Sequence, residues 1–202
     1  MTWLDRYLQK QRIRQARREL PAGARVLDIG THDGSLFCLT QARGVGIDPE
    51  LAAPTPIPGV TLVKGSFPDD LPLLPDESFD AAIALAVLEH VPEPELPAWA
   101  QALARLVIPG GLLILTVPAP AVDTILHLLI RLRLVAGIAA HQHHRFQPGH
   151  LDHLFTAPLW QHAKHRTFQL GLNHLYVFQR APHPPADHPR LPHHPPATRH
   201  RD

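Results

Sequence analysis

The residues with the clearest chemical meaning lie in one run, Val26-Leu27-Asp28-Ile29-Gly30-Thr31-His32-Asp33-Gly34-Ser35-Leu36-Phe37. A short apolar run ending in glycine reads as a strand. Gly30 and Gly34 then flank a tight turn, where a missing Cβ lets the backbone approach a ligand closely. A helix starting near Ser35 would aim free N–H groups at polar ligand atoms. Eighteen residues after Gly30, Asp48 ends the run Gly44-Val45-Gly46-Ile47-Asp48-Pro49. A carboxylate there can accept hydrogen bonds from both hydroxyls of a ribose. The bland alternatives are that Asp28 pins the loop and that Asp48 is a turn residue before Pro49. A dinucleotide fingerprint requires glycine at the positions of Gly30, His32 and Ser35, and two of these fail. A nucleoside ligand without a diphosphate fits better.

Other reactive types are scattered. Glu89-His90 follows Val87-Leu88 at the mouth of a strand, where His90 is a candidate base or substrate contact, packing and helix capping being the alternatives. His141, His143, His144, His150 and His153 crowd one stretch, yet no acid-rich or cysteine pattern accompanies them, so no metal site is expected.

The elements that would position these groups alternate in type. Residues 2–19 lack Pro and Gly and read as a helix. Strands are expected at Arg25–Ile29, Gly44–Ile47, Val60–Val63, Phe79–Leu85 and Leu112–Val117, each an apolar run bounded by turn residues. Leu96, Trp99, Leu103, Leu106 and Val107 recur at helical spacing, and Pro109-Gly110-Gly111 marks a break before the next strand. Ala121–Ala140 reads as a long, broadly apolar helix, Pro148–Phe155 as a shorter one, and Trp160–Gln169 and Leu172–Gln179 as late strands. Alternation of this kind implies an α/β fold, a doubly wound, Rossmann-like, mostly parallel sheet with an antiparallel final strand. Ligands of such sheets bind at the carboxyl ends of the strands.

Composition narrows the class. The chain has 202 residues with 45% apolar types, enough for one domain with its own core. Lys+Arg 19 nearly balance Asp+Glu 18, so a nucleic-acid partner is not expected. The lone Cys38 excludes an internal disulfide and fits a reducing, cytoplasmic setting. The basic N-terminal segment lacks the apolar core of a secretory signal, although its helix could touch a membrane surface. Asp123, His127, Arg131 and Arg133 interrupt Ala121–Ala140, so stable membrane insertion is not expected either. Residues 181–202 hold seven Pro and five His with one large aliphatic, Leu191, and are expected to form a disordered tail after a domain of residues 1–180.

With these blocks in place, Val26–Phe37, Gly44–Pro49, Phe79–Val91 and Ile108-Pro109-Gly110-Gly111 together resemble the class I S-adenosylmethionine-dependent methyltransferases, of the type 11/12-like kind, over about residues 20–120. The late Leu170–Phe178 run suits the same fold. The resemblance implies S-adenosyl-L-methionine as cofactor. Asp28 would orient the glycine loop and the methionine amino group, Gly30, Thr31, His32 and Gly34 would form the loop, and Asp48 with Pro49 would hold the ribose. Ser66 and Phe67 would follow the third strand near the adenine, and Leu85 would touch the cofactor after the fourth. Two positions depart from the family pattern: His32 stands for a middle glycine, and Ser66 for an aspartate that often reaches the adenine amine.

The implied reaction is in-line transfer of a methyl group to a small-molecule, lipid-like or glycan-linked acceptor. It asks the protein to align the partners and exclude water. His90 or His144 would serve as the base for a hydroxyl acceptor. Residues 118–146 would form a helical insertion on the substrate side, packing on the sheet and acting partly as a lid. The alternatives are a non-catalytic interaction module of the same fold or a nicotinamide-dependent oxidoreductase.

Overall fold

The computed structural model describes residues 3–52, 55–119 and 150–182. In chain order the elements are α1 (Trp3–Arg17), β1 (Arg25–Ile29), α2 (Ser35–Thr40), β2 (Arg43–Asp48), β3 (Val60–Lys64) and β4 (Phe79–Leu85). Two single 3₁₀ turns follow at Leu88–His90 and Glu93–Glu95. Then come α3 (Leu96–Leu106), β5 (Val107–Pro118), a short helix α4 (His150–Leu154), β6 (Trp160–Phe168) and β7 (Asn173–Arg180).

Side chains on a strand alternate between two faces, and here the alternation divides the central strands between two cores. Leu27, Ile29, Ala82, Leu113, Leu115, Tyr176 and Phe178 turn to one side. They are covered there by the buried stripe Leu96, Trp99, Leu103 and Leu106 of α3. Val26, Ile83, Ile114, Leu175 and Val177 turn to the other, against Ile13 and Ala16 of α1 and Leu36 and Phe37 of α2. Burying each such large side chain contributes about 1.5–3 kcal/mol.

The seven strands form one sheet in the order β3-β2-β1-β4-β5-β7-β6. β1 to β5 are parallel. β7 is antiparallel to both β5 and β6, so β6 runs with the main body and the last strand is the one reversed. The chain therefore moves outward from β1 to β3, returns to β4, and leaves a crevice at the carboxyl end of β1, the topological switch point where ligands of doubly wound sheets bind.

Two expectations give way. The break at Pro109-Gly110-Gly111 is no turn between elements: α3 passes directly into β5 at Val107, which is a strand residue rather than part of the helical stripe. The irregularity is absorbed as a bulge, with Phe79 opposite Val107 but Ala81 opposite Leu112. Pro109 has no N–H to contribute, and Gly110 takes a φ of 78°, so both suit a bulge. The expected helix at Pro148–Phe155 is observed as the shorter α4. The expected helix at Ala121–Ala140, His144, most of the 118–146 insertion and most of the 181–202 tail lie outside the described residues.

α1 is held from below by charge. Glu19 accepts hydrogen bonds from Lys164 Nζ at 3.0 Å and Arg166 Nη2 at 3.1 Å, and Arg166 also reaches the Gln15 carbonyl at 3.2 Å. Lys164 and Arg166 are two residues apart on β6 and so share one face of the sheet, the one that carries α1. No helix among the described residues is long and apolar enough to cross a membrane.

Candidate active site

The loop after β1 is tied to the end of β2 and to the segment that follows it. Gly30 N–H donates to the Ile47 carbonyl at 2.9 Å, and the Ala52 N–H donates to the His32 carbonyl at 3.1 Å. Asp48 completes the link: Oδ2 accepts the His32 N–H at 2.9 Å and Oδ1 accepts the Glu50 N–H at 2.7 Å. The buried Asp48 carboxylate therefore holds the glycine loop in place. Each of its oxygens keeps a further acceptor site.

Gly30 has a φ of 78°, and a Cβ placed on it would lie 2.5 Å from Val87 Cγ2. Only glycine lets the loop and the segment after β4 approach this closely. His32 adopts a φ of 51°, so the backbone at this non-glycine position has the left-handed form that a glycine would take without strain. Histidine is among the side chains that tolerate it better than most. Gly34, at φ 72°, caps α2.

The anticipated free N–H groups at the start of α2 are not all available. Asp33 Oδ1 accepts the Ser35 N–H at 3.0 Å and also meets Gln9 Nε2 at 3.5 Å. Partial burial works against ionisation of Asp33, but the Ser35 hydroxyl and N–H, with His32 beside them, hold its carboxyl below the usual range. The start of this helix is thus capped from within the loop.

Two cavities meet at Gly30, each of about 260 Å³. The first opens under α1, walled by Leu8, Gln9, Arg12 and Ile13 and by Asp28, Thr31, His32, Leu36 and Leu85. The second lies on the α3 side, between Pro49, Ser66 and Phe67 and the segment Val87, His90, Val91 and Pro92, with Glu95 and Trp99 behind. Phe67 packs edge-on against Trp99, ring centres 4.9 Å apart, which fixes the floor of that cavity. Together the cavities reach the size range of about 300–1,000 Å³ usual for ligand sites.

Asp28 is the electrostatic anomaly. Burial pushes its carboxyl up to about 7; the Thr31 hydroxyl opposes the shift, and Asp48 and Asp33 add to it. A cation in direct contact with the Asp28 carboxyl would reverse that shift.

Of the residues anticipated from sequence, Asp28, Gly30, Thr31, His32 and Leu85 line the first cavity, and Gly30, Pro49, Ser66, Phe67 and His90 line the second. Asp48 lines neither, and Gly34 serves the helix cap. The Ser66 N–H is taken by Asp70 Oδ2 at 2.8 Å. The wall contributed by α1 was missed in sequence; the signal available was the pairing of Leu8 with Arg12 and Gln9 with Ile13 one helical turn apart. Ala86, at φ 59° directly after β4, was missed as well.

A sheet of this strand order, with a crevice at the glycine loop after β1, has the fold of the class I S-adenosylmethionine-dependent methyltransferases. A family model described as a methyltransferase domain matches residues 2–165, and the chain belongs to that family. A ubiquinone biosynthesis O-methyltransferase of Xanthomonas oryzae pv. oryzae is 38% identical over 106 residues, covering 47% of this chain and 43% of the relative. The chain thus spans about two fifths of the length of the curated relatives it matches. Among solved structures, a Burkholderia thailandensis 1,6-didemethyltoxoflavin-N1-methyltransferase, with 1,6-didemethyltoxoflavin and S-adenosylhomocysteine bound, aligns with a TM-score of 0.63 at 18% identity, over 89% of this chain and 80% of that one. An S-adenosylmethionine-dependent methyltransferase from Mesorhizobium loti aligns at 0.59 and 18% identity, over 86% of this chain and all (100%) of the other. At such identity these two speak for the fold.

Proposed function

We propose that the protein transfers the methyl group of S-adenosylmethionine to a small-molecule acceptor, with the cofactor lying across Gly30 between the two cavities. The observation that carries this reading is the buried Asp28 carboxyl in a cavity that also holds Arg12. An acid and a base lining one cavity match the ammonium and carboxylate of an amino-acid end. When bound, the cofactor supplies a methyl group already activated on a sulfonium.

The chain's residues then have separate tasks. Asp28 takes the ammonium and Arg12 the carboxylate. Asp48 fixes the loop through the His32 N–H and offers its remaining acceptor sites to the ribose hydroxyls. Pro49, Phe67 and Val87 enclose the flat base, with Ser66 as a polar neighbour. Leu85 and α1 exclude water from the methionine end, which favours alignment of acceptor and methyl. Exposed His90, beside the second cavity, is a candidate acceptor-side group.

Calorimetric titration with S-adenosylhomocysteine tests the reading. Micromolar-range binding is expected, weakened about 10- to 100-fold by Asp48→Ala, which removes charged hydrogen bonds of about 1.5–3 kcal/mol. Failure of the folded wild-type protein to bind would leave the interaction-module alternative in its place.

A further inference from the structure

The exposed charges described on the outer side of α1 are all basic. Arg6, Lys10, Arg14 and Arg17 are exposed, and Arg18 follows directly after the helix. At 3.6 residues per turn these positions fall within about 120° of arc and extend over about 18 Å of axis. Tyr7, 52% exposed, stands in the same arc. No acid among the described residues pairs with Arg6, Lys10, Arg14 or Arg17, and Arg18 donates to Gln15 Oε1 at 3.1 Å. Glu19 is turned inward to Lys164 and Arg166.

The helix by itself does not account for this stripe. Cations favour a last turn, which suits Arg14 and Arg17, but Arg6 stands near the positive end of the dipole. Arg6 and Lys10, and again Lys10 and Arg14, are like charges four residues apart, a destabilising arrangement. Packing uses the opposite side, through Ile13 and Ala16. The rest of the chain is poor in acids that could cover the stripe: residues 120–149 hold only Asp123, and residues 183–202 only Asp187 and Asp202.

The surroundings form a layer rather than a groove. α2 packs on the same face of the sheet, holds no acid, and turns Cys38 and Leu39 outward. The exposed acid before it, Asp33, is engaged with Ser35 and Gln9. Lys164 of β6, half exposed, adds a cation to this face. The first cavity lies against the inner side of α1, and a hollow of about 430 Å³ at the helix end meets the stripe only at Arg17. A nucleic-acid strand is typically held in a groove with aromatic platforms for its bases. A layer of cations with one tyrosine and one leucine among them matches the flat phosphate field of an anionic bilayer instead.

We propose that the outer face of α1 docks on an anionic lipid bilayer through headgroup phosphates, without insertion. The proposal stands independently of the methyltransferase reading. A helix is about 10 Å across, so the first cavity, walled by its inner side, is held about that far from the headgroups. Each basic residue close to an anionic leaflet raises affinity about fivefold, and salt screens the attraction.

The test is flotation of the full-length protein with vesicles of phosphatidylcholine, alone or mixed with phosphatidylserine. Binding is expected to the mixed vesicles only, fading between about 0.05 M and about 0.3 M salt. Changing Arg6, Lys10 and Arg14 together to Gln should weaken it about 100-fold, while the melting temperature holds because two like-charge pairs are gone. Each single change should cost about fivefold, which keeps the test decisive even if the triple variant does not fold. Arg6→Lys with Arg14→Lys keeps the charge and should bind within about threefold of wild type. Equal binding to both vesicles, or binding untouched by the changes to Gln, would overturn the proposal. Tighter binding to a single-stranded oligonucleotide than to the mixed vesicles, weakened by the same changes, would overturn it in favour of a nucleic-acid partner.

Discussion

Asp28 offers the sharpest quantitative test. In the unfolded chain its carboxyl titrates near 3.8, and in the folded protein near 7. Below pH 4 both states are protonated and the residue has no net effect on stability. As pH rises toward 7 the unfolded chain loses its proton and the folded chain keeps it, so stability falls by about 1.4 kcal/mol per pH unit. Above 7 the full penalty is present, about 4 kcal/mol on that scale. Asp28→Asn, close in shape and uncharged, should therefore stabilise the ligand-free protein strongly at pH 8 and hardly at all at pH 4. Urea unfolding of both proteins across this range measures the difference. The ligand works in the opposite sense. An ammonium binds the ionised form, so wild-type affinity for S-adenosylhomocysteine should be about tenfold weaker at pH 6 than at pH 8, since only about a tenth of Asp28 is ionised at the lower value. The variant should bind weakly at both. A stability difference between the two proteins that does not grow with pH would refute the reasoning, as would pH-independent binding.

Further outcomes follow from the loop and its supports. Gly30→Ala forces a side chain into the left-handed region and onto Val87, and should lower stability by about 2 kcal/mol or more while weakening S-adenosylhomocysteine binding; thermal melts with and without ligand report both. Glu19→Gln removes the shared partner of Lys164 and Arg166, whose carboxylate is 13% exposed, and should cost about 1–3 kcal/mol in urea unfolding and loosen the α1 wall. His32→Gly should alter stability by less than about 1 kcal/mol, because relief at φ 51° is offset by the greater freedom of glycine in the unfolded chain. A large change there would show that the imidazole itself has a packing role.

Sequence alone made the strands legible. Arg25–Ile29 and Phe79–Leu85 are continuous apolar runs because both faces of the sheet are covered, and their bounds match the expectation residue for residue. The glycine loop was legible because tight turns limit which residues fit. The length of β5 was hidden, since Pro109-Gly110-Gly111 spells a turn and a bulge in the same letters. Residues such as Leu8, Arg12 and Trp99 were harder to assign to a site: a helix face that buries a core and one that walls a cavity share a single periodicity. The contact of His165 with His174, 2.9 Å between ring nitrogens, was also invisible, because the two come together only through the pairing of β6 with β7.

The anchoring of α1 has a consequence for synthesis. Glu19 and Lys164 are 145 residues apart, so the segment after α1 is fastened by a strand made long after it. Until that final hairpin has left the ribosome and slotted against β5, the nascent chain has a sheet edge without its neighbour and a cofactor chamber without a secured wall. Competence to bind ligand is then gained at once, when β6 and β7 have been made, and a chain stopped after β5 should be recognised by the cell as unfinished.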